Sequence, residues 1–171
     1  MTLPEHPIPN SYWVLPGRFL AGGYPGDVDE EEARQKARQL LEAGVTLFLD
    51  LTEEGELNPY LPYVQEEAQG RPFTHQRMAI GDFRAPPPEH MVAILDTIDA
   101  ALAAGHVLYL HCWGGSGRTG TVVGCYLVRH GMPGGAALQE IGRLRQGVAS
   151  VRHSPETAEQ EQMVWQWPAG G

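Results

Sequence analysis

The segment from His111 to Gly120 holds the residues of this chain that are best suited to covalent chemistry. It reads HCWGGSGRTG, with Cys112 at the end of an apolar run and Arg118 six positions later. A strand, a tight glycine turn and a helix N-terminus together form an anion site, because backbone N–H groups and the positive end of the helix meet at one point. The segment therefore predicts an anion site that contains a thiol and a guanidinium.

Three kinds of glycine-rich loop compete for this segment. A Walker loop needs a lysine before its Ser or Thr, and none precedes Thr119, which excludes that interpretation. The dinucleotide fingerprint GxGxxG matches Gly115, Gly117 and Gly120, but Glu140, the acid 20 positions on, falls in a helical pattern instead of at a strand end. The third interpretation, a thiolate nucleophile, is the one we favour.

A nucleophilic cysteine needs surroundings that favour its anion, because a free thiol is only a few per cent ionised at about pH 7. The loop amides and the helix dipole supply such surroundings, and we expect the Thr119 hydroxyl to donate a hydrogen bond to the Cys112 sulfur. A phosphate monoester carries about two negative charges, so attack on it requires fixed dipoles and a cation. The planar fork of Arg118 meets that need, since it can hold two phosphate oxygens at once.

The interior of the loop is expected to bind phosphate through its backbone. The residues predicted to do so are Trp113, Gly114, Gly115, Ser116 and Gly117, together with Arg118. His111 has two interpretations. It orients the loop through its ring nitrogens, or it is a buried histidine at a strand end; direct proton transfer by it is disfavoured.

The leaving group of a phosphate ester needs a proton, and the loop itself contains no carboxylate. Asp82 is our choice for the general acid. It follows a strand pattern that ends at Ile80, precedes the stiff run at residues 86–88, and lies one predicted helix before Cys112, so a parallel crossover would bring both to one sheet edge. Asp50, also near a strand end, is the reserve candidate, and a simple turn residue is the alternative for Asp82.

Strand and helix patterns alternate along the chain. The predicted strands are a hairpin at residues 12–15 and 18–21 and three further strands at 45–51, 73–80 and 107–110. The predicted helices are one capped by Asp29 and ended by Gly44, one at 91–102, an apolar helix after the loop, one at 136–146, and one from the Ser154-Pro155 cap to about Trp167. This pattern favours an α/β fold with a central, mostly parallel twisted sheet flanked by helices. The phosphate-binding loop would connect a buried strand to the central helix.

Composition limits the remaining possibilities. The 171 residues suit one domain over residues 1–171, with residues 1–10 expected to be a loose segment. A net charge of −9 disfavours nucleic acid and anionic lipid, and no apolar run is long enough to span a membrane. Two cysteines and the absence of a leader pattern predict a cytoplasmic protein with reduced thiols, and the histidines show no metal-ligand spacing, so no metal is expected. We expect a monomer.

The segment 111–120 resembles the HCxxGxxRTG signature of the cysteine-dependent protein tyrosine phosphatases, and the compact chain points to their dual-specificity branch. The resemblance extends more loosely from about Ser11 to Trp167. It implies a two-step reaction through a phosphocysteine with no cofactor, in which Cys112 is the nucleophile, Arg118 binds phosphate and Thr119 assists the departing thiolate. Ile80-Gly81-Asp82 stands where larger tyrosine-specific members carry Trp-Pro-Asp on the acid loop.

The resemblance also bears on Gln160. The segment SPETAEQEQMV, which contains it, resembles a segment that many members place beside the active loop. Gln160 then positions water or supports the loop, although a solvent-facing position on the helix is the interpretation we favour. The expected substrates are phosphotyrosine and, in second place, phosphoserine or phosphothreonine in proteins. The alternatives are a phosphatase of small molecules such as inositol phosphates or phosphoinositides, and a module that binds phosphate without turnover.

Overall fold

Five strands and six helices make up the computed structural model, which describes residue 2 and residues 4–171. The strands are β1 (Ser11–Leu15), β2 (Phe19–Gly22), β3 (Leu47–Asp50), β4 (Thr74–Arg77) and β5 (Leu108–His111). The helices are α1 (Glu30–Glu42), α2 (Leu61–Ala68), α3 (Pro88–Ala103), α4 (Arg118–Arg129), α5 (Gly134–Leu144) and α6 (Ala158–Gln166). The predicted alternation of strands and helices is confirmed.

The strands form a sheet in the order β1-β2-β5-β3-β4. β1 runs antiparallel to β2, and the other three neighbouring pairs are parallel. Every residue of β3 and β5 is buried, which explains why both read as continuous apolar runs. The α/β fold with a mostly parallel sheet is therefore as predicted.

Helices cover both faces of this sheet. Successive side chains of a strand point to opposite faces, so neighbouring residues of one strand belong to different cores. Phe48 and Tyr109 belong to the core that includes residues of α1 and α2. Leu49 and Leu110 belong to the core on the other face, which includes residues of α3, α4, α5 and α6. α4 is buried on nearly every side, so it is the central helix that its apolar sequence predicted.

The carboxyl ends of the parallel strands β3, β4 and β5 meet at one edge of the sheet. The loops that follow them, residues 51–60, 78–87 and 112–117, therefore lie close together. These three loops carry the candidate functional residues.

Two helix predictions need correction. The N-cap of α6 is Thr157, which forms a capping box with Gln160, and not Ser154 as predicted. Ser154 instead donates its hydroxyl hydrogen bond to the carbonyl of Ser116, at 2.6 Å. α2 was not predicted, because it is short, contains Pro62 and buries only Val64 and Ala68.

The N-terminal segment is more ordered than expected. Ile8 is 2% exposed and belongs to the core, and the backbone carbonyl of Pro9 accepts a hydrogen bond from the Ala149 amide at 2.9 Å. Asn10 donates its side-chain amide to the carbonyl of Gly114 at 2.8 Å. The prediction of a loose segment is thus wrong for residues 8–10, while positions 1 and 3 of that segment lie outside the described residues.

Candidate active site

The loop between β5 and α4 packs against the turn that follows β2. Its Trp113 carbonyl accepts a hydrogen bond from the Tyr24 amide at 2.9 Å. Gly115 has a φ of +77°, and a Cβ there would lie 2.6 Å from the carbonyl carbon of Gly22. Only glycine permits this backbone conformation and this close approach, so the glycine spacing of the sequence has a direct structural cause.

Cys112 is the first residue of this loop. Its side chain is buried, and its sulfur accepts a hydrogen bond from the backbone amide of Gly115 at 3.3 Å. α4 begins at Arg118, six residues later, so its N-terminus faces the same loop. This backbone amide and the N-terminus of α4 are the kind of dipoles that the sequence predicted around the sulfur.

Arg118 is buried and lies between the three loops at the sheet edge. Its Nη1 and Nη2 atoms donate to the two carboxylate oxygens of Glu56 at 2.7 and 2.8 Å, and Nη1 also donates to the carbonyl of Ile80 at 3.1 Å. Nη2 lies 3.3 Å from Oδ1 of Asp82. The structure thus brings the predicted acid to the predicted phosphate-binding cation.

Glu56 is a site residue that sequence reasoning missed. Burial alone would lower the pKa of Arg118, but the hydrogen bonds to Glu56 raise it above its ordinary value. The same hydrogen bonds hold the pKa of the Glu56 carboxyl below its ordinary range. A bidentate pair of this kind fixes the plane of the guanidinium before any ligand arrives.

Asp82 is half-exposed, and its Oδ1 accepts a hydrogen bond from the Phe83 amide at 3.0 Å. Asp50, the reserve candidate, belongs to a separate network. Its carboxylate is buried and accepts hydrogen bonds from Thr52, His75 and Arg77. Burial opposes its ionisation, yet the hydrogen bonds from His75 and Thr52 and the nearby His111 hold the pKa of Asp50 well below its ordinary value, which makes it a poor proton donor.

His111 is buried beneath the loop. Its Nδ1 lies 3.2 Å from the Cys112 carbonyl and its Nε2 lies 2.7 Å from the Tyr60 hydroxyl. Because a carbonyl only accepts, Nδ1 carries the proton and Nε2 accepts from Tyr60. Burial lowers the pKa of His111 to about 4, against the opposing effect of Asp50. A neutral ring hydrogen-bonded on both sides favours the orienting role over proton transfer.

Thr119 and Ser116 form hydrogen bonds with partners other than the Cys112 sulfur. The Thr119 hydroxyl donates to the carbonyl of Gly22 at 3.3 Å, so the predicted hydrogen bond from Thr119 to Cys112 is wrong in this structure. Close packing against the turn after β2 provides this competing acceptor. Ser116 is buried, and its hydroxyl accepts a hydrogen bond from Nη2 of Arg145 at 2.9 Å, which anchors the loop to the end of α5.

Gln160 is 0% exposed, so the favoured solvent-facing position is wrong. Its Oε1 accepts hydrogen bonds from the amides of Glu156 and Thr157, and its Nε2 donates to the carbonyl of Arg84 at 3.1 Å. A Cβ at Gly117 would lie 3.2 Å from both polar atoms of this amide. Gln160 therefore lies between the loop at residues 112–117 and the loop that carries Asp82.

Glu56→Gln should lower the melting temperature by about 3–6 °C at neutral pH, since removing one charge of a partly buried pair costs about 1–2 kcal/mol. The pKa of Glu56 is lowered by folding, so its contribution is complete above the unfolded value of 4.5 and is lost as pH falls through the folded one. Thermal unfolding from pH 7 to pH 3 measures this. Glu54→Gln, an exposed residue of the same loop, is the matched control. A melting temperature insensitive to Glu56→Gln at pH 7 would contradict the ion pair.

Among residue 2 and residues 4–171, no group of three or more His, Cys, Asp or Glu side chains could hold a metal ion. Within the same residues, none of the helices has the length and apolar character needed to cross a bilayer.

Comparison with known proteins agrees with this geometry. A family model described as "Swiss Army Knife protein, DSP-PTPase phosphatase domain" matches residues 9–164. The protein named "Putative tyrosine phosphatase 067L" of Invertebrate iridescent virus 3 is 34% identical over 110 residues, which cover 64% of this chain. The matched part amounts to 42% of the viral protein, so the chain spans less than half of that relative.

Solved structures show the same fold. The crystal structure of Tk-PTP in the active form has a TM-score of 0.71 and 28% identity, covering 91% of this chain and 94% of that one. The structure of kinase associated phosphatase, with its catalytic-site cysteine replaced by serine, has a TM-score of 0.69 and 20% identity over 85% of this chain and 83% of that one. The resemblance inferred from residues 111–120 is confirmed.

Proposed function

The chain belongs to the DSP-PTPase family of phosphatase domains, and from this premise we propose that it hydrolyses phosphotyrosine in proteins through a phosphocysteine intermediate. One observation carries the proposal. The Cys112 sulfur accepts a hydrogen bond from the Gly115 amide, and the guanidinium of Arg118 contacts Asp82. Both contacts support our assignment of nucleophile, phosphate-binding cation and acid to one anion site.

In the first step, the thiolate of Cys112 attacks phosphorus and an S–P bond forms. The ester P–O bond breaks, and the leaving oxygen takes the proton of Asp82. A bound phosphate dianion replaces Asp82 as a partner of Arg118. The loop amides and Arg118 stabilise the charge on the phosphate oxygens throughout.

In the second step, water attacks the phosphorus of the phosphocysteine. The carboxylate of Asp82 takes the proton of that water, the S–P bond breaks, and Cys112 leaves as a thiolate together with inorganic phosphate. Thr119 is proposed to assist the departing sulfur after its hydroxyl turns away from Gly22. We propose that Gln160 holds the Asp82 loop against the catalytic loop, residues 112–117, and so positions Asp82 for both steps.

Phosphotyrosine is the substrate that the loop supports best. Its interior, residues 113–117, carries no basic side chain, which disfavours highly charged inositol phosphates and phosphoinositides. The viral relative is itself named as a tyrosine phosphatase. A phosphate-binding module without turnover has no use for a buried, amide-stabilised thiol. We further propose that the chain acts as one monomeric domain in a reducing, cytoplasmic environment, since the nucleophile must stay reduced.

The experiment compares initial rates on phosphotyrosyl peptides, phosphoseryl peptides and inositol phosphates, with EDTA present. We expect phosphotyrosyl peptides to be hydrolysed at least about tenfold faster than the others. A phenolate is a better leaving group than an alkoxide, and the loop has no lysine to bind the additional phosphates of an inositol phosphate. An inositol phosphate that is turned over faster than every peptide would favour the small-molecule alternative. Binding of phosphate with no turnover of any substrate would favour the non-catalytic one.

Asp82→Asn should lower kcat on phosphotyrosine by about 10²–10³-fold, because the tyrosine oxygen then leaves without a proton. The loss on p-nitrophenyl phosphate should be smaller, since nitrophenol is the stronger acid and needs protonation less. Steady-state kcat on both substrates measures the difference. Asp96→Asn, exposed on α3, is the control. Equal losses on both substrates would show that Asp82 is not the acid.

A further inference from the structure

A groove of about 290 Å³ lies beside the catalytic loop, on the side of the turn that follows β2. We call it the Trp113 groove. It is lined by Tyr24, Asp27, Val28, Leu57, Asn58 and Trp113. Trp113 directly follows Cys112, and Leu57 directly follows Glu56, a hydrogen-bond partner of Arg118, so the groove lies beside the phosphate-binding loop.

The groove exposes large apolar side chains that the fold does not use. Val28 is 95% exposed and the Trp113 side chain is 47% exposed, while Leu57 is half-buried. Single exposed apolar residues are common on proteins, but a contiguous apolar patch beside a reactive centre indicates a binding surface, because a bound ligand would remove it from water.

Hydrogen bonds and stacking hold the groove in shape. The Tyr24 amide donates to the Trp113 carbonyl at 2.9 Å, and the Tyr24 hydroxyl donates to the carbonyl of Asn58. On the other side, the guanidinium of Arg152 lies 5.1 Å from the centre of the Trp113 ring. A ligand therefore enters a surface that is already ordered, which reduces the entropic cost of binding.

The lining of the groove favours an apolar occupant over an acidic one. Its one lining carboxylate, Asp27, pairs with Lys36 at 3.0 Å, and the nearby Arg152 pairs with Glu156 at 3.5 Å, so no free cation faces the groove from these pairs. An acidic side chain would lose hydration here without gaining an ion pair, and a hydroxyl-rich ring would bury polar groups against Val28 and Leu57. A large apolar side chain gains the most from this surface.

We propose that the Trp113 groove receives a large apolar side chain flanking the phosphotyrosine of a peptide substrate, and that Trp113 and Val28 determine this preference. The inference rests on the proposed function, because it requires a peptide chain that extends from the bound phosphate. The phosphate of such a peptide lies over the loop that begins at Cys112, and the next side chain along the peptide reaches the groove that begins at Trp113.

The test uses phosphotyrosyl peptides that differ only at the positions flanking the phosphotyrosine, with leucine or aspartate placed there in turn. For the native protein, we expect kcat/KM to be about tenfold higher for leucine than for aspartate at one of these positions. Val28→Asp and Trp113→Ala should each reduce that ratio to about threefold or less. Comparing ratios within one variant separates peptide preference from any general change in activity.

Matched controls are available on the same chain. Val151→Asp changes a valine that is 100% exposed and does not line the groove, and Trp165→Ala changes a tryptophan that is 61% exposed on α6. Both should keep the native ratio. Because Val28 is almost fully exposed, Val28→Asp should keep the native melting temperature, which excludes misfolding as the cause.

Two results would overturn the inference. The first is a leucine-to-aspartate ratio near one for the native protein, or a native ratio that persists in both groove variants; either would contradict the role of the groove but not the proposed hydrolysis of phosphotyrosine. Turnover of inositol phosphates with none of any phosphotyrosyl peptide would remove the proposed function together with the inference.

Discussion

Cys112→Ser is expected to lower kcat on phosphotyrosine and on p-nitrophenyl phosphate by at least about 10⁴-fold, the scale seen when an essential nucleophile is removed. A serine hydroxyl is a far weaker acid than a thiol, so the amide of Gly115 and the N-terminus of α4 cannot ionise it near neutral pH. Steady-state turnover measures the loss. Acid-quenched mass spectrometry should detect a phosphate adduct on the native protein and none on the variant.

Cys125→Ala provides the matched control for this prediction. Cys125 is the other cysteine of the chain; burial raises its pKa to about 12, and it lies in the core instead of in the loop. The variant should retain the phosphate adduct and most of the activity. The Cys112→Ser protein should still bind inorganic phosphate, which shows that its anion site is folded. Hydrolysis that survives Cys112→Ser but is abolished by EDTA would contradict the phosphocysteine mechanism.

The catalytic loop could be predicted because its determinants are local. Its glycines, cysteine and arginine lie within ten residues, and the apolar runs on either side place the segment between a strand and a helix. Asp82 required one more step, the rule that parallel strands end at a common edge. Its contact with Arg118 agrees with that step.

The other parts of the site depend on contacts that no local pattern shows. Glu56 is one of three acidic residues in the loop after β3, and which of them reaches Arg118 depends on the backbone path of that loop. Gln160 lies in a polar stretch that favours solvent exposure, yet its side chain is buried and forms hydrogen bonds with the carbonyl of Arg84 and two backbone amides. Both are stabilised by distant segments of the chain, and such contacts would need covariation or coordinates to detect.

Arg118 connects more of the site than any other side chain described above. Its guanidinium contacts Glu56 from the loop after β3, the carbonyl of Ile80 and the carboxylate of Asp82. A phosphate dianion must take the place of Asp82 while Glu56 keeps the guanidinium plane fixed. Five donors in a rigid plane can serve both purposes at once, and the three donors of a lysine ammonium on a flexible stem cannot.

Arg118→Lys is therefore expected to lower kcat/KM by about 10²–10³-fold although the positive charge is kept, which corresponds to about 3–4 kcal/mol of transition-state stabilisation. Steady-state kinetics and the affinity for inorganic phosphate measure the loss, which should appear in both KM and kcat because the bidentate contact forms on binding and persists through transfer. Arg129→Lys, at the opposite end of α4 and paired with Asp96 and Asp99, is the matched control and should keep native kinetics. If Arg118→Lys loses no more than about threefold, charge alone is sufficient and the planar fork is not what aligns the phosphate with Cys112.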